Sequence, residues 1–175
     1  MNNINRAIFF DRDGTLIQSK TLNNKLIAFR DIRDFKLAFG ARKILLELKS
    51  RGFKLILVTN QPDVLKGYVT KFFVDNINNF LMDHLDLDLV KVVYQTDVEE
   101  PGRYKPAPGM LLEAAVELNL DLKNSFMVGD RWRDIEAGKN AGCTTILLKS
   151  QHIESIRQKP DFEIHELSEL LQLIY

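Results

Sequence analysis

A chain of 175 residues, 45% hydrophobic and 27% charged, has the length and composition of one globular domain with a single core. Its 24 Lys and Arg balance 24 Asp and Glu, so there is no net basic field to gather nucleic acid or an anionic membrane surface. The one cysteine, Cys143, excludes an intramolecular disulfide. With only three scattered histidines (His84, His152 and His165) it cannot build a cysteine-rich structural zinc site either, and it reads as a small buried hydrophobe. The start of the chain, polar from Asn2 to Arg6 and then only briefly apolar, does not have the pattern of a signal peptide. No stretch approaches a membrane span, and no heptad repeat is present. The expectation is a cytoplasmic monomer.

Taken in order, the chain alternates short apolar runs with segments of helical period. The run 7–10 predicts a strand ending at Asp11. Residues 16–30, polar apart from Leu22, Leu26, Ile27 and their neighbours, predict a small flap. Ala41, Ile44, Leu45 and Leu48 mark a helix that Gly52 would cap, and the run 55–58 predicts a strand ending at Thr59. Phe73, Ile77, Phe80 and Leu81 form a stripe expected to pack in the core. The run 90–94 predicts a strand, and Leu111, Ala114, Ala115 and Leu118 a helix with Pro108 near its first turn. Runs 126–128, ending at Gly129-Asp130, and 145–148 complete the strong strand signals. Residues 162–164 are a weaker sixth, and Leu167, Leu170, Leu171 and Ile174 close the chain as a helix. Strand and helix in alternation imply an α/β fold in one domain, 1–175, with a central parallel sheet covered on both faces. In such a sheet the ligand lies at the carboxyl ends of the strands, where Asp11, Thr59 and Asp130 should converge.

The chemistry gathers at those ends. Asp11 and Asp13, two acids close together after a buried strand, repel unless a divalent cation relieves them. Gly14 permits a tight turn that aims backbone N–H groups at an anion. Thr59-Asn60-Gln61 offers a hydroxyl and backbone amides. Lys105, stiffened by Pro106 and Pro108, offers a positioned charge. Asp130 would complete an oxygen-rich site with Asp11, of the kind magnesium prefers. Two roles are open to Asp134: pairing with Lys105, or favourable placement at a helix N-terminus. Trp132 either stacks on a sugar ring or packs.

Together Asp11-Arg12-Asp13-Gly14-Thr15, Thr59-Asn60, Lys105 and Gly129-Asp130 with Asp134 resemble the haloacid dehalogenase superfamily of phosphohydrolases. Within it, Phe10 to Thr15, Thr59-Asn60-Gln61 and Lys105-Pro106-Ala107-Pro108-Gly109-Met110 are similar to the histidinol-phosphate and heptose-bisphosphate phosphatase group. The resemblance implies a three-layer Rossmann-like sandwich. It implies that Asp11 attacks phosphorus and that Asp13 serves as acid and then base. Magnesium would be held by Asp11, the Asp13 carbonyl and Asp130. Arg12, Thr59, Asn60, Gln61 and Lys105 would bind substrate, with Thr15 and Asp134 in support.

The chain departs from that group in two places. The stretch 93–105 lacks the Cys and His of a zinc loop, so no zinc is expected and the loop must hold itself. Tyr104 stands where heptose enzymes place an Arg, which leaves Arg103 or Arg131 to meet a second anion. Once the helices and strands are placed, the gaps from Asp11 to Thr59 and from Thr59 to Lys105 leave no room for a separate cap domain. The implied partner is a small-molecule phosphate ester: a sugar phosphate such as a heptose bisphosphate, or histidinol phosphate. A nucleic-acid 3′-phosphatase is disfavoured by the neutral charge, and a phospho-acceptor receiver module gives Thr59-Asn60 and Gly129-Asp130 nothing to do.

Overall fold

Strand β1 (Arg6–Phe10) is buried along its length except at Arg6, and the sheet grows outward from it. The computed structural model describes residues 5–22, 25–27, 30–149 and 155–175; His152 and part of the expected flap lie outside them. After β1 come a two-stranded hairpin, β2 (Lys20–Leu22) and β3 (Lys25–Ile27), then helix α1 (Ala41–Ser50) and β4 (Phe53–Asn60). Next are α2 (Lys71–His84), β5 (Leu89–Val93), α3 (Gly109–Leu118), β6 (Phe126–Gly129) and α4 (Trp132–Ala141). The chain ends with β7 (Thr144–Leu148), β8 (Phe162–Ile164) and α5 (Leu170–Leu173). Six strands form one sheet in the order β5-β4-β1-β6-β7-β8, every neighbouring pair parallel.

Alternation along the central strands explains why those runs are apolar throughout. Ile8, Phe10, Leu55, Leu57 and Val128 face one way and pack with Ala41, Ile44, Leu45 and Leu48 of α1, Ile77 and Leu81 of α2, and Leu170 of α5. Ala7, Phe9, Ile56, Val58 and Met127 face the other way, against Met110, Leu111 and Ala114 of α3 and Ala137 of α4. Cys143 lies in this second cluster, and burial pushes its thiol up to about 12. No helix among the described residues is long and apolar enough to cross a membrane.

The structure revises three expectations. Leu16 and Ile17 belong to the core, so the flap is shorter than 16–30. Strand β4 runs one residue further, through Asn60. The buried face of α2 is Val74, Ile77, Asn78 and Leu81, whereas Phe80 is 44% exposed, stacked on His84 and edge-on to Phe35. The apolar stripe misplaced this face because a polar residue, Asn78, stands at one of its core positions.

The outermost strand is tied on by Asp161. Its carboxylate accepts from the Thr145 amide (2.8 Å) and hydroxyl (2.7 Å) and pairs with Lys139 at 2.8 Å. Partial burial pushes its pKa up, but Lys139 and Thr145 outweigh that and hold it at about 2. A depressed pKa contributes stability above the unfolded carboxylate's value and loses it as pH falls toward 2. Because this carboxylate is partly open to solvent, Asp161→Ala is expected to cost only about 1 kcal/mol at pH 7. Urea denaturation checks this, and the difference between the two proteins should shrink below about pH 4.

Candidate active site

Neighbouring strands β4, β1 and β6 end side by side, and the residues that follow them make the site. The amide of Asp11 still donates to Val128 O (3.0 Å), so its side chain leaves at the carboxyl edge of the sheet. Asp130 follows β6, Thr59 and Asn60 end β4, and Lys105 arrives on the loop between β5 and α3. That loop is clamped by Asn60, whose amide nitrogen donates to Lys105 O (3.0 Å) while its oxygen accepts from Lys105 N (3.1 Å). Glu100 N donates to Thr96 O and Gly109 N to Gly102 O, each at 3.0 Å. A Cβ on Gly109 would lie 2.2 Å from the Gly102 oxygen, so the loop closes on itself only because no side chain intervenes.

Lys105 is 2% exposed, and its ammonium donates to Asp11 Oδ1 (2.8 Å), Asp134 Oδ1 (2.7 Å) and Val58 O (2.9 Å). Burial pushes its pKa down, yet Asp11 and Asp134 more than reverse this, so it stays charged. Both roles considered for Asp134 hold together: Oδ1 meets Lys105 while Oδ2 accepts from the Arg131 amide (3.0 Å) at the start of α4. Asp130 is buried, and neither of its oxygens has a hydrogen-bond partner. Burial, then Asp11 and Asp134, drive its pKa well above the carboxylate range. Burial also lifts Asp11; Lys105 opposes this, Asp134 and Asp13 add to it, and the result is about 6. Carboxylate oxygens of Asp11, Asp130 and Asp134 lie within 4.8 Å of one another. One ammonium does not neutralise three buried acids, and the two unpartnered oxygens of Asp130 are what a divalent cation would satisfy. Gly14 fits this packing twice over. Its φ is +90°, and a Cβ there would sit 2.2 Å from Asp130 Oδ2.

Asp13 stands two residues on, with Oδ2 accepting from Gln61 Nε2 (2.8 Å), which also donates to Thr59 Oγ1 (2.9 Å). Asp11, Asp13, Asn60, Gln61, Lys105, Arg131 and Asp134 line one cleft of about 300 Å³. Thr15 is buried and does not line this cleft, its hydroxyl unpartnered.

Two of the expected substrate-binding residues have partners within the chain. Arg12 is 1% exposed and spends its guanidinium on Asp13 and Asn78. Arg103 is paired with Glu113 (2.6 Å) and Glu100 (2.5 Å) and does not line the cleft. The Asn60 amide groups are likewise taken up by Lys105. Trp132 packs rather than offering an open face: it is 8% exposed, with the guanidinium of Arg157 3.7 Å from its ring centroid and that of Arg133 at 4.4 Å. Sequence reasoning missed the rim, where Arg30, Lys66 and Arg133 join Arg131 above the acidic floor. Arg30 and Lys66 come from loops far apart in the chain, and Arg131 and Arg133 from the start of α4. Arg30 is held by Asp63 (2.9 Å) and lies over the Tyr68 ring.

A family model described as haloacid dehalogenase-like hydrolase matches residues 22–142. A D-glycero-beta-D-manno-heptose-1,7-bisphosphate 7-phosphatase of Pasteurella multocida is 33% identical, covering 97% of this chain and 96% of its own. A D-glycero-alpha-D-manno-heptose-1,7-bisphosphate 7-phosphatase of Campylobacter jejuni is 29% identical, covering 95% of this chain and 94% of its own. Among solved structures, the D,D-heptose 1,7-bisphosphate phosphatase of B. bronchiseptica, complexed with magnesium and phosphate, superposes with a TM-score of 0.76. It is 21% identical and covers 96% of this chain and 99% of that one.

The raised acids set a sign for pH. Without a cation the native protein binds protons on Asp11 that the unfolded chain has released, so stability falls as pH rises from about 4 to about 6. The metal-free protein is therefore expected to melt on the order of 5 °C higher at pH 5 than at pH 7. Magnesium chloride should raise the melting temperature more at pH 7 than at pH 5. Thermal scans with and without chelator check both.

Proposed function

Because the chain belongs to the haloacid dehalogenase-like hydrolases, we propose that this site is that of a magnesium-dependent phosphatase acting on a phosphorylated sugar. The observation that carries the proposal is the buried group of Asp11, Asp130 and Asp134 around the Lys105 ammonium, with Asp13 on the same cleft. The phosphatase relatives support the reaction class, phosphoric monoester hydrolysis. Asp11 and Asp130, with the Asp13 carbonyl, would hold magnesium, which offsets charge on the transferring phosphoryl group.

In this scheme an Asp11 carboxylate oxygen bonds to phosphorus as the ester P–O bond breaks. Asp13 gives its proton to the departing alkoxide, releasing the alcohol. Asp13, now a carboxylate, takes a proton from a water whose oxygen attacks the aspartyl-phosphate, releasing inorganic phosphate and restoring Asp11. Lys105 holds Asp11 in place, and it meets the phosphoryl oxygens together with the Thr59 hydroxyl and the backbone amides near Asn60. Hydrogen bonds within the loop that carries Lys105, and to Asn60, support a loop that closes on its own residues.

A heptose bisphosphate is the substrate best supported. The relatives named above act on it, and the rim cations could receive a second phosphate while the acidic floor works on the first. Arg131, in place of the Arg missing at Tyr104, is assigned to that second anion. Among the described residues, Arg103 is already committed to Glu100 and Glu113.

Asp11→Asn should leave the fold intact and abolish turnover. A folded variant retaining activity within about tenfold, ~1.4 kcal/mol of barrier, would remove Asp11 from the role of nucleophile.

Arg131→Ala should weaken a sugar bisphosphate by on the order of 1.5–3 kcal/mol while changing a monophosphate much less. Steady-state KM values for the pair measure it, and equal losses would sink the assignment.

A further inference from the structure

Asn78 occupies a core position on α2, sharing the buried face with Val74, Ile77 and Leu81. It is 4% exposed, and its amide nitrogen has no hydrogen-bond partner. Leucine has the same branched side-chain shape and would spare the fold an unsatisfied buried N–H2 group. Packing therefore gives no reason for an asparagine here. Its other end gives one. Asn78 Oδ1 accepts from Arg12 Nη1 at 3.1 Å. The same buried guanidinium turns its Nε (3.1 Å) and Nη2 (3.0 Å) onto Asp13 Oδ2, which also accepts from Gln61 Nε2 at 2.8 Å. A guanidinium is planar, so fixing one nitrogen fixes the direction of the others.

We infer that Asn78 is a positioning residue for Asp13. It holds the Arg12 plane, and Arg12 and Gln61 together hold one carboxylate oxygen, so the side chain that carries the proton cannot rotate away from the cleft. The inference rests on the proposed acid–base role of Asp13 and extends it to a helix that contributes nothing else to the cleft. Asn78 touches neither substrate nor reacting atoms; it acts through Arg12.

The test compares two aryl esters on variants of the whole chain with magnesium present. Phenolate is a poor leaving group that depends on being protonated, and p-nitrophenolate leaves well without help. Asn78→Leu should melt no lower than the unaltered protein. It should also lose kcat on phenyl phosphate by on the order of tenfold, with KM little changed, while p-nitrophenyl phosphate is nearly unaffected. Asn78→Asp, which keeps the acceptor oxygen, should restore phenyl phosphate turnover. If Asn78→Leu does not fold, Asn78→Ala carries the same comparison. Equal losses on the two esters, or no loss on either, would overturn the inference. Asp13→Asn, measured in parallel, separates the two levels. If it shows no preference between the esters, the acid–base role of Asp13 fails. If it shows one and the Asn78 variants do not, the positioning role alone fails.

Discussion

One buried ammonium governs this molecule. Lys105 is sealed from water between Asp11 and Asp134, with a strand carbonyl as its third acceptor. A charge that has lost its hydration must be matched closely in place and number. The match is arranged by architecture: three parallel strands end together, each delivers its residues to the same edge, and Asn60 pins the backbone of Lys105 from both sides. The match is also deliberately short by design of composition, since Asp130 is left with both oxygens unpaired. That leaves unsatisfied charge at the edge of the sheet, of the kind a small cation would offset.

The close approaches around this edge explain why small residues recur there. Asp130 packs onto Gly14, and Asp134 packs onto Gly129, where a Cβ would fall 2.3 Å from the Asp134 side chain. Backbone at these points stands where side chains stand elsewhere. The acids thus sit in slots whose walls are main chain, and main chain adjusts less than side chains do. The loop before α3 follows the same economy: Gly102 against Gly109 brings the two ends of the turn into contact.

Much of the sheet was legible because buried parallel strands are apolar without interruption, and the runs at 7–10, 126–128 and 145–148 each became a strand. Asp11, Asp130 and Lys105 stood out because each follows a strand or sits in a stiff loop of unusual composition, and Asp134 because it falls four residues after Asp130. What was not legible depends on three-dimensional choice. Arg12 lies beside Asp11 in the chain yet turns inward to Asn78, and Arg103 has two acidic neighbours, Glu100 and Glu113, that claim it first. Chain proximity to a motif says nothing about which way a long side chain will go. The rim cations Arg30, Lys66 and Arg133 are ordinary charged residues in the sequence, and only the fold brings two loops and the start of α4 together to gather them.

Cys143 has a practical consequence for anyone who would watch this cleft at work. Its thiol is buried under the second core cluster and barely ionises at neutral pH, so alkylating reagents meet no reactive sulfur on the native protein. A cysteine introduced at an exposed rim position such as Lys66 would therefore be labelled alone. A fluorophore attached there would report occupancy of the cleft by emission, without first stripping the natural cysteine from the core.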